Sequence, residues 1–385
     1  MSSKLKVLQV IPRLGYGGAE IGCYDLAHYL KEQKSSSFIV TSGGELLKYI
    51  DKKKVKLFRL PVHSKNPLLI LINIFILSFI VLFYKINILH VRSRAPAWSC
   101  YYVSKITKCK LVTTFHGTYK FNNSIKKNYN AIMLKSDCVI AGSNFIFSHI
   151  NENYSEYLSK EKKLRVIFRG INVDYYNPKN ISMLKQEKLK QEWNLFSNKF
   201  TILLPGRLTY WKGQEKFIES LNILIEDYNF TNFQAIILGS DQGRKVYAKK
   251  LMNLVERYNL NKKIKFIQNC NEMPLAYSLA DAVVSTSIEP EAFGRVSVEA
   301  QSMSKPIIAS NIGGSKETII NKKTGFLYQH DDPRELAKSL NTVIQLSSDE
   351  LKSIGNEGRK NITKKFDVET MCQTNLKEYK RLINN

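Results

Sequence analysis

The sequence predicts an α/β protein built from two doubly wound parallel sheets, and three observations predict it. A chain of 385 residues exceeds what one hydrophobic core holds and favours two domains of roughly 150 to 200 residues each. Short apolar runs alternate with longer helical patterns, the arrangement of βαβ units. These runs fall into two series, separated by the polar, Lys-rich stretch Asn172 to Asn198 with its Asn177-Pro178 step. The apolar share of 44% and charged share of 24% are those of a globular chain and exclude wholesale disorder.

Taken in order, strands are expected near Lys6 to Ile11, Ser37 to Thr41, Ile88 to Val91, Leu111 to Phe115 and Cys138 to Gly142. The second series is expected near Phe200 to Leu204, Phe233 to Leu238, Ile264 to Ile267, Ala282 to Ser285, Pro306 to Ala309 and Gly325 to Leu327. Helical patterns cover Ile21 to Leu30 and Leu184 to Trp193. The expected domains are residues 1–178 and 179–367, with a last helix, 368–383, packing back on the first.

Leu68 to Tyr84 is apolar except for Asn73 and Ser78, and Lys65 and Lys85 flank it. As a helix it spans about 24 Å against a hydrocarbon core of about 30 Å. It also occupies the helix slot before the strand Ile88 to Val91, so crossing a membrane would remove an element from the first sheet. A core-facing helix of unusual apolarity and a helix that also offers a face to a membrane surface are the two better readings; a true span is the third.

The net charge of +25 is uneven: residues 1–178 hold 27 Lys and Arg against 10 Asp and Glu, the remainder 31 against 23. Such a surplus suits an anionic membrane surface or phosphorylated substrates, although 45 of the 58 basic residues are Lys, as compositional bias would also give. Zinc-finger spacings, RNP-like strands and Arg-rich tracts are lacking, so nucleic acid is not expected. Six cysteines without a Cys-x-x-Cys pair, and an N-terminus without a signal-peptide core, point to a reduced, cytoplasmic setting.

Four stretches carry chemistry. Gly15 to Glu20 is a glycine-rich strand-to-helix turn that lets backbone N–H groups approach a phosphate; Glu20 stands where the dinucleotide fingerprint needs its third glycine, which demotes a dehydrogenase. Gly206-Arg207 follows a strand, and Lys212 comes shortly after, two cations that suit a diphosphate. In Ser287 to Ala300, Glu291 precedes a turn at Phe293-Gly294 and Glu299 is expected about two turns into the next helix. Two carboxylates so placed accept hydrogen bonds from sugar hydroxyls, while the helix start receives an anionic leaving group; a nucleotide sugar has both features. Asn311 to Gly314 with Glu317 forms another glycine-rich loop. His116, before Gly117-Thr118 at a strand end, is a candidate functional histidine, with Gly142-Ser143 a weaker one.

Taken together, Gly17-Gly18-Ala19-Glu20, His116-Gly117-Thr118, Gly206-Arg207 with Lys212-Gly213, Glu291 to Glu299 at the Glu-x7-Glu spacing, and Gly313-Gly314 resemble the family 4 glycosyltransferases. The resemblance covers almost the whole chain in the right order. It implies a GT-B fold, two Rossmann-like domains facing a cleft, with the donor on the second domain and the acceptor on the first. It implies that Arg207 and Lys212 bind the donor diphosphate, Glu299 the nucleotide ribose and Glu291 hydroxyls of the transferred sugar. By the same resemblance, Gly206, Phe293 and Gly294 lie beside the donor, Gly17, Gly18 and Arg169 belong to the donor-binding set, and His116 lies near the reacting centre. No Asp-x-Asp occurs, so no metal and no cofactor are expected.

The implied activity is retaining transfer of a hexosyl or N-acetylhexosaminyl group from a nucleotide-diphosphate sugar to an envelope glycan or glycolipid of lipopolysaccharide, O-antigen or capsule type. The expected place is the inner face of the cell membrane, held peripherally on anionic lipid. A nucleotide-sugar 2-epimerase on the same fold and a non-catalytic sugar-nucleotide binding protein are the alternatives. Side chains around Phe266 to Asn271 are expected to choose the base.

Overall fold

The computed structural model describes residues 4–158 and 163–384. The chain forms two compact units, Met1–Gly170 with Val368–Asn385, and Ile171–Asp367. The first holds β1 (Lys6–Val10), α1 (Gly18–Glu32), β2 (Ser36–Thr41), β3 (Val55–Arg59), α2 (Pro67–Tyr84) and β4 (Ile88–Val91). It continues with α3 (Arg94–Thr107), β5 (Lys110–Phe115), α4 (Ser124–Ala131), β6 (Cys138–Ala141), α5 (Asn144–Tyr154) and β7 (Leu164–Val166). The second holds α6 (Met183–Glu192), β8 (Phe200–Pro205), α7 (Gln214–Glu226), β9 (Phe233–Leu238), α8 (Lys245–Arg257), β10 (Ile264–Ile267) and α9 (Met273–Ser278). It ends with β11 (Ala282–Ser285), α10 (Arg295–Ser302), β12 (Ile307–Ser310), α11 (Ser315–Thr318), β13 (Phe326–Tyr328), α12 (Pro333–Ile344) and α13 (Ser348–Lys365), before α14 (Val368–Asn384) returns to the first.

The first sheet runs β3-β2-β1-β4-β5-β6-β7 and the second β10-β9-β8-β11-β12-β13. Their strand pairs are parallel, as βαβ crossovers require. Helices cover both faces of such sheets, so central strands read as continuous apolar runs: Val7, Leu8, Val10, Ile202 and Leu203 are essentially inaccessible. Strand order reverses between β1 and β4 and between β8 and β11, and ligands bind such sheets outside the carboxyl ends at that reversal.

α14 packs Met371, Cys372, Leu376, Tyr379 and Leu382 into one cluster with Val7, Leu26, Leu30 and Ile88 of the first unit. The changeover between units comes at Gly170 and Ile171, ahead of residue 178. The intervening segment is tied to the second unit: the Ile171 N–H donates to the Phe366 carbonyl (2.8 Å), and Arg359 donates to the Val173, Tyr176 and Ser302 carbonyls.

α2 is where the packing departs from a core-facing reading. Asn66 caps its start by accepting from the Leu68 N–H, Pro67 takes the first position, and Lys85 closes it in the left-handed region. It is long and apolar enough, by length and composition, to cross a membrane. Only Asn73, Leu77, Ile80 and Val81 are buried. Phe75 is 84% exposed, and Leu68, Leu71, Phe79, Leu82 and Phe83 are each at least 60% exposed. A helix apolar all round has been laid on a unit that covers one stripe of it, mainly through α3. Asn73 sits on the covered stripe and donates to the Pro61 carbonyl (3.2 Å).

Candidate active site

In the second unit the carboxyl ends of β8 and β11 bring the expected residues to one edge. After β8 come Gly206 and Arg207; Arg207 is exposed, its backbone carbonyl held by Gln214 Nε2 (2.9 Å) and its guanidinium at long range from Gln242. A short turn then places Lys212 so that Nζ lies 2.7 Å from Glu291 Oε1, with side-chain exposures of only 13% and 11%. Ser287 Oγ also donates to Glu291 Oε1 (2.5 Å), and Thr286 Oγ1 donates to the Lys212 carbonyl (2.8 Å). The cation and the carboxylate are thus aligned by neighbours on the loop after β11, in a setting where charge is far less screened than on an open surface.

That loop ends at Gly294, in the left-handed region, which caps α10 without any side-chain hydrogen bond. The start of α10 therefore keeps the positive end of a helix without a side-chain acceptor. The Gly313-Gly314 loop is explained by close packing here: a Cβ on Gly314 would lie 2.5 Å from the Phe293 backbone, and the Gly314 N–H donates to the Glu291 carbonyl (2.8 Å). Phe293 is buried and meets Phe366 edge-on.

Glu299 departs from expectation twice. It is the fifth residue of α10, just over one turn in rather than two, because the helix begins only at Arg295. Its carboxylate is also enclosed: Oε1 accepts from Arg295 Nε (2.5 Å) and the Tyr176 hydroxyl (3.0 Å), and Oε2 from the Tyr277 hydroxyl (2.7 Å). Burial and then the charge of Glu299 push both phenols well above their ordinary range, so they remain donors. Tyr176, Tyr277, Arg295 and Ser287 are the hydrogen-bonding neighbours of the two candidate carboxylates that the motif reading missed. Arg295 was legible, four residues from Glu299 on one helix face; the tyrosines come from remote segments and were not.

The first unit gathers a second set at its own sheet edge. A Cβ on Gly18 would lie 1.7 Å from an Arg169 guanidinium nitrogen, and one on Gly142 would lie 3.3 Å from the Arg169 stem. Arg169, Gly18 and Gly142 are therefore neighbours, and the glycines leave the room the arginine fills. Gly17 caps α1 without a side-chain bond. His116 follows β5; both its ring nitrogens are buried and neither has a hydrogen-bond partner among the described residues. Burial, and then the charges of Arg169 and Arg92, hold its pKa well below the ordinary histidine range, so it is neutral near pH 7. Among the described residues no group of three or more His, Cys, Asp or Glu is placed to hold a metal ion.

Similarity to known proteins follows the same two units. The family model described as Glycosyltransferase Family 4 matches residues 16–175, and that described as Glycosyl transferases group 1 matches residues 185–361. A solved glycosyltransferase from Rickettsia africae is 38% identical over the whole of both chains, with a TM-score of 0.91. The capsular polysaccharide biosynthesis glycosyltransferase CapM of Staphylococcus aureus is 27% identical over 240 residues, 57% of this chain and 58% of that one. Anabaena Alr3699/HepE, solved in complex with UDP-glucose, shares the fold at 22% identity and a TM-score of 0.82, covering 97% of this chain and 99% of that one. Two family models in chain order and full-length similarity to a solved member agree with the two parallel sheets: the chain belongs to the family 4 glycosyltransferases of the GT-B fold.

Proposed function

We propose that this glycosyltransferase is retaining and metal-independent, and that it moves a hexosyl or N-acetylhexosaminyl group from a nucleotide-diphosphate sugar to an envelope glycan or glycolipid. The second unit takes the donor and the first the acceptor. The observation that carries this reading is the nearly buried Lys212–Glu291 pair beside Arg207 and the start of α10. Lys212, Arg207 and the helix start meet the charge that grows on the departing diphosphate, while Glu291 accepts from hydroxyls of the sugar. Glu299 serves the ribose by exchanging one of its tyrosine or arginine donors for a ribose hydroxyl. No cofactor is required, since the donor carries its own leaving group.

The bond from the anomeric carbon to the phosphate oxygen breaks while the acceptor oxygen bonds that carbon on the same face. The acceptor proton passes to the departing phosphate. His116, neutral and without a hydrogen-bond partner among the described residues, offers a hydrogen bond to substrate on the first unit. Two similar proteins, one a capsular polysaccharide glycosyltransferase and the other solved in complex with UDP-glucose, support an envelope acceptor and make UDP-sugars the first donors to try. The surplus of basic residues and the apolar face of α2 support peripheral docking at the cytoplasmic face of the cell membrane.

The test is incubation of the purified chain with labelled nucleotide sugars and envelope lipid extract. Transfer with the donor's anomeric configuration is the expected result, read by NMR of the product. An inverted product refutes retention, free epimerised nucleotide favours the epimerase, and binding without turnover favours a non-catalytic role.

A further inference from the structure

Arg92 directly follows β4, at the reversal of strand order in the first sheet, and is 6% exposed. Its Nε donates to Gln9 Oε1 (2.9 Å), and Gln9 is itself fixed by donating to the Cys23 carbonyl (3.0 Å). Among the described residues no carboxylate pairs with it; Glu20, the acid nearest the turn, folds onto Gly17 instead. A guanidinium taken out of water without a counter-ion carries a large desolvation cost, and proteins meet that cost with an anion. Two neighbouring groups point the same way. His116, directly after the adjacent β5, has two buried nitrogens without partners among the described residues, and Arg169 lies over Gly18 at the start of α1. The nearby polar groups are otherwise engaged: His90 sits between the Tyr379 and Thr114 hydroxyls, and Arg94 donates to Asn130 and stacks on Tyr119.

We propose that the first unit carries its own oxyanion site, centred on Arg92 with Arg169 and His116, which takes a phosphate or carboxylate of the acceptor in addition to the donor diphosphate held by the second unit. The acceptor is then a glycan or glycolipid that carries a phosphate or carboxylate near the hydroxyl that is glycosylated. The assignment to the acceptor rests on the reading that the first unit takes that substrate. The oxyanion meets Arg92, whose terminal nitrogens have no hydrogen-bond acceptor among the described residues, and it accepts from the neutral imidazole N–H of His116.

The experiment is calorimetric titration of inorganic phosphate into the full chain at about physiological salt, where loose surface binding is screened. It is run alone and with saturating UDP. With UDP filling the diphosphate site of the second unit, one phosphate per chain is expected to remain bound. Arg92→Gln is expected to weaken phosphate at least tenfold while UDP affinity is unchanged, which also shows that the variant is folded; Arg169→Gln is expected to weaken phosphate as well, with its fold checked by circular dichroism. Three results overturn the proposal: no phosphate binding by the wild type, unaltered binding by Arg92→Gln, or mutual exclusion of phosphate and UDP, which would make the anion the donor's own diphosphate. Failure of UDP to bind strikes the donor reading of the second unit instead, and leaves the phosphate titration to judge this site alone.

Discussion

Replacing Phe75 by Asp on the open face of α2 isolates the apolar part of membrane docking from the electrostatic part. Phe75 is 84% exposed, so the substitution removes no packing and should leave folding stability within ~0.5 kcal/mol. A phenylalanine offers roughly 200 Å² of surface, so transferring its exposed part to lipid at about 25 cal/mol per Å² is worth at most ~4 kcal/mol. A ring reaching halfway into the acyl boundary keeps ~2 kcal/mol, still about thirtyfold in binding. Phe79→Asp, at 65% exposure on the same face, should lose a comparable amount. Sedimentation with vesicles containing anionic lipid reads the effect. Wild type should bind, weaken without vanishing as salt rises, and exceed both variants at every salt. Equal sedimentation of wild type and both variants would refute insertion by α2 and leave the basic residues, each worth about 1 kcal/mol at most, as the whole attraction. Wild type that ignores such vesicles at low salt would remove the membrane from the proposed function.

Glu291→Ala and Lys212→Ala should each lower transfer at least about a hundredfold, ~3 kcal/mol of transition-state stabilisation, with the circular dichroism spectrum preserved; near-wild-type turnover of either would overturn the site. Full activity in excess chelator is expected, and a loss restored by magnesium or manganese would overturn metal independence. His90 and His116 are both held neutral, chiefly by burial, with pKa values well below the ordinary range. Below pH ~6.5 the unfolded chain takes up protons that the folded chain does not, so stability is complete above that pH and falls on acidification. The slope approaches ~1.4 kcal/mol per pH unit for each histidine. Urea unfolding at pH 7.5 and 5.5 should show this fall, shallower in His116→Asn; identical pH dependence in that variant would show that His116 titrates freely in the fold.

The central strands of both sheets were legible because strands buried on both faces must be apolar throughout: Val7, Leu8 and Val10 announce β1 as Ile202 to Leu204 announce β8. β3 and β7 were not, for the complementary reason. They are the edges of the first sheet, and Val55-Lys56-Leu57-Phe58-Arg59 and Leu164-Arg165-Val166 carry the charges that edges tolerate. Motif spacing singled out Lys212, Glu291 and Glu299 because a βα loop and the helix after it are local in sequence.

What those residues touch was decided elsewhere. The Lys212–Glu291 pair joins the ends of two strands that neighbour only in the folded sheet, and the Glu299 carboxylate is closed by tyrosines from two remote segments. The apolarity of α2 was fixed by its residues, but which stripe is covered and which is left to solvent depends on α3. A one-dimensional pattern specifies what a segment can bury; only the tertiary arrangement supplies the neighbour that buries it, and Arg92, its charge enclosed with no carboxylate paired to it among the described residues, is set by neighbours that no local pattern names.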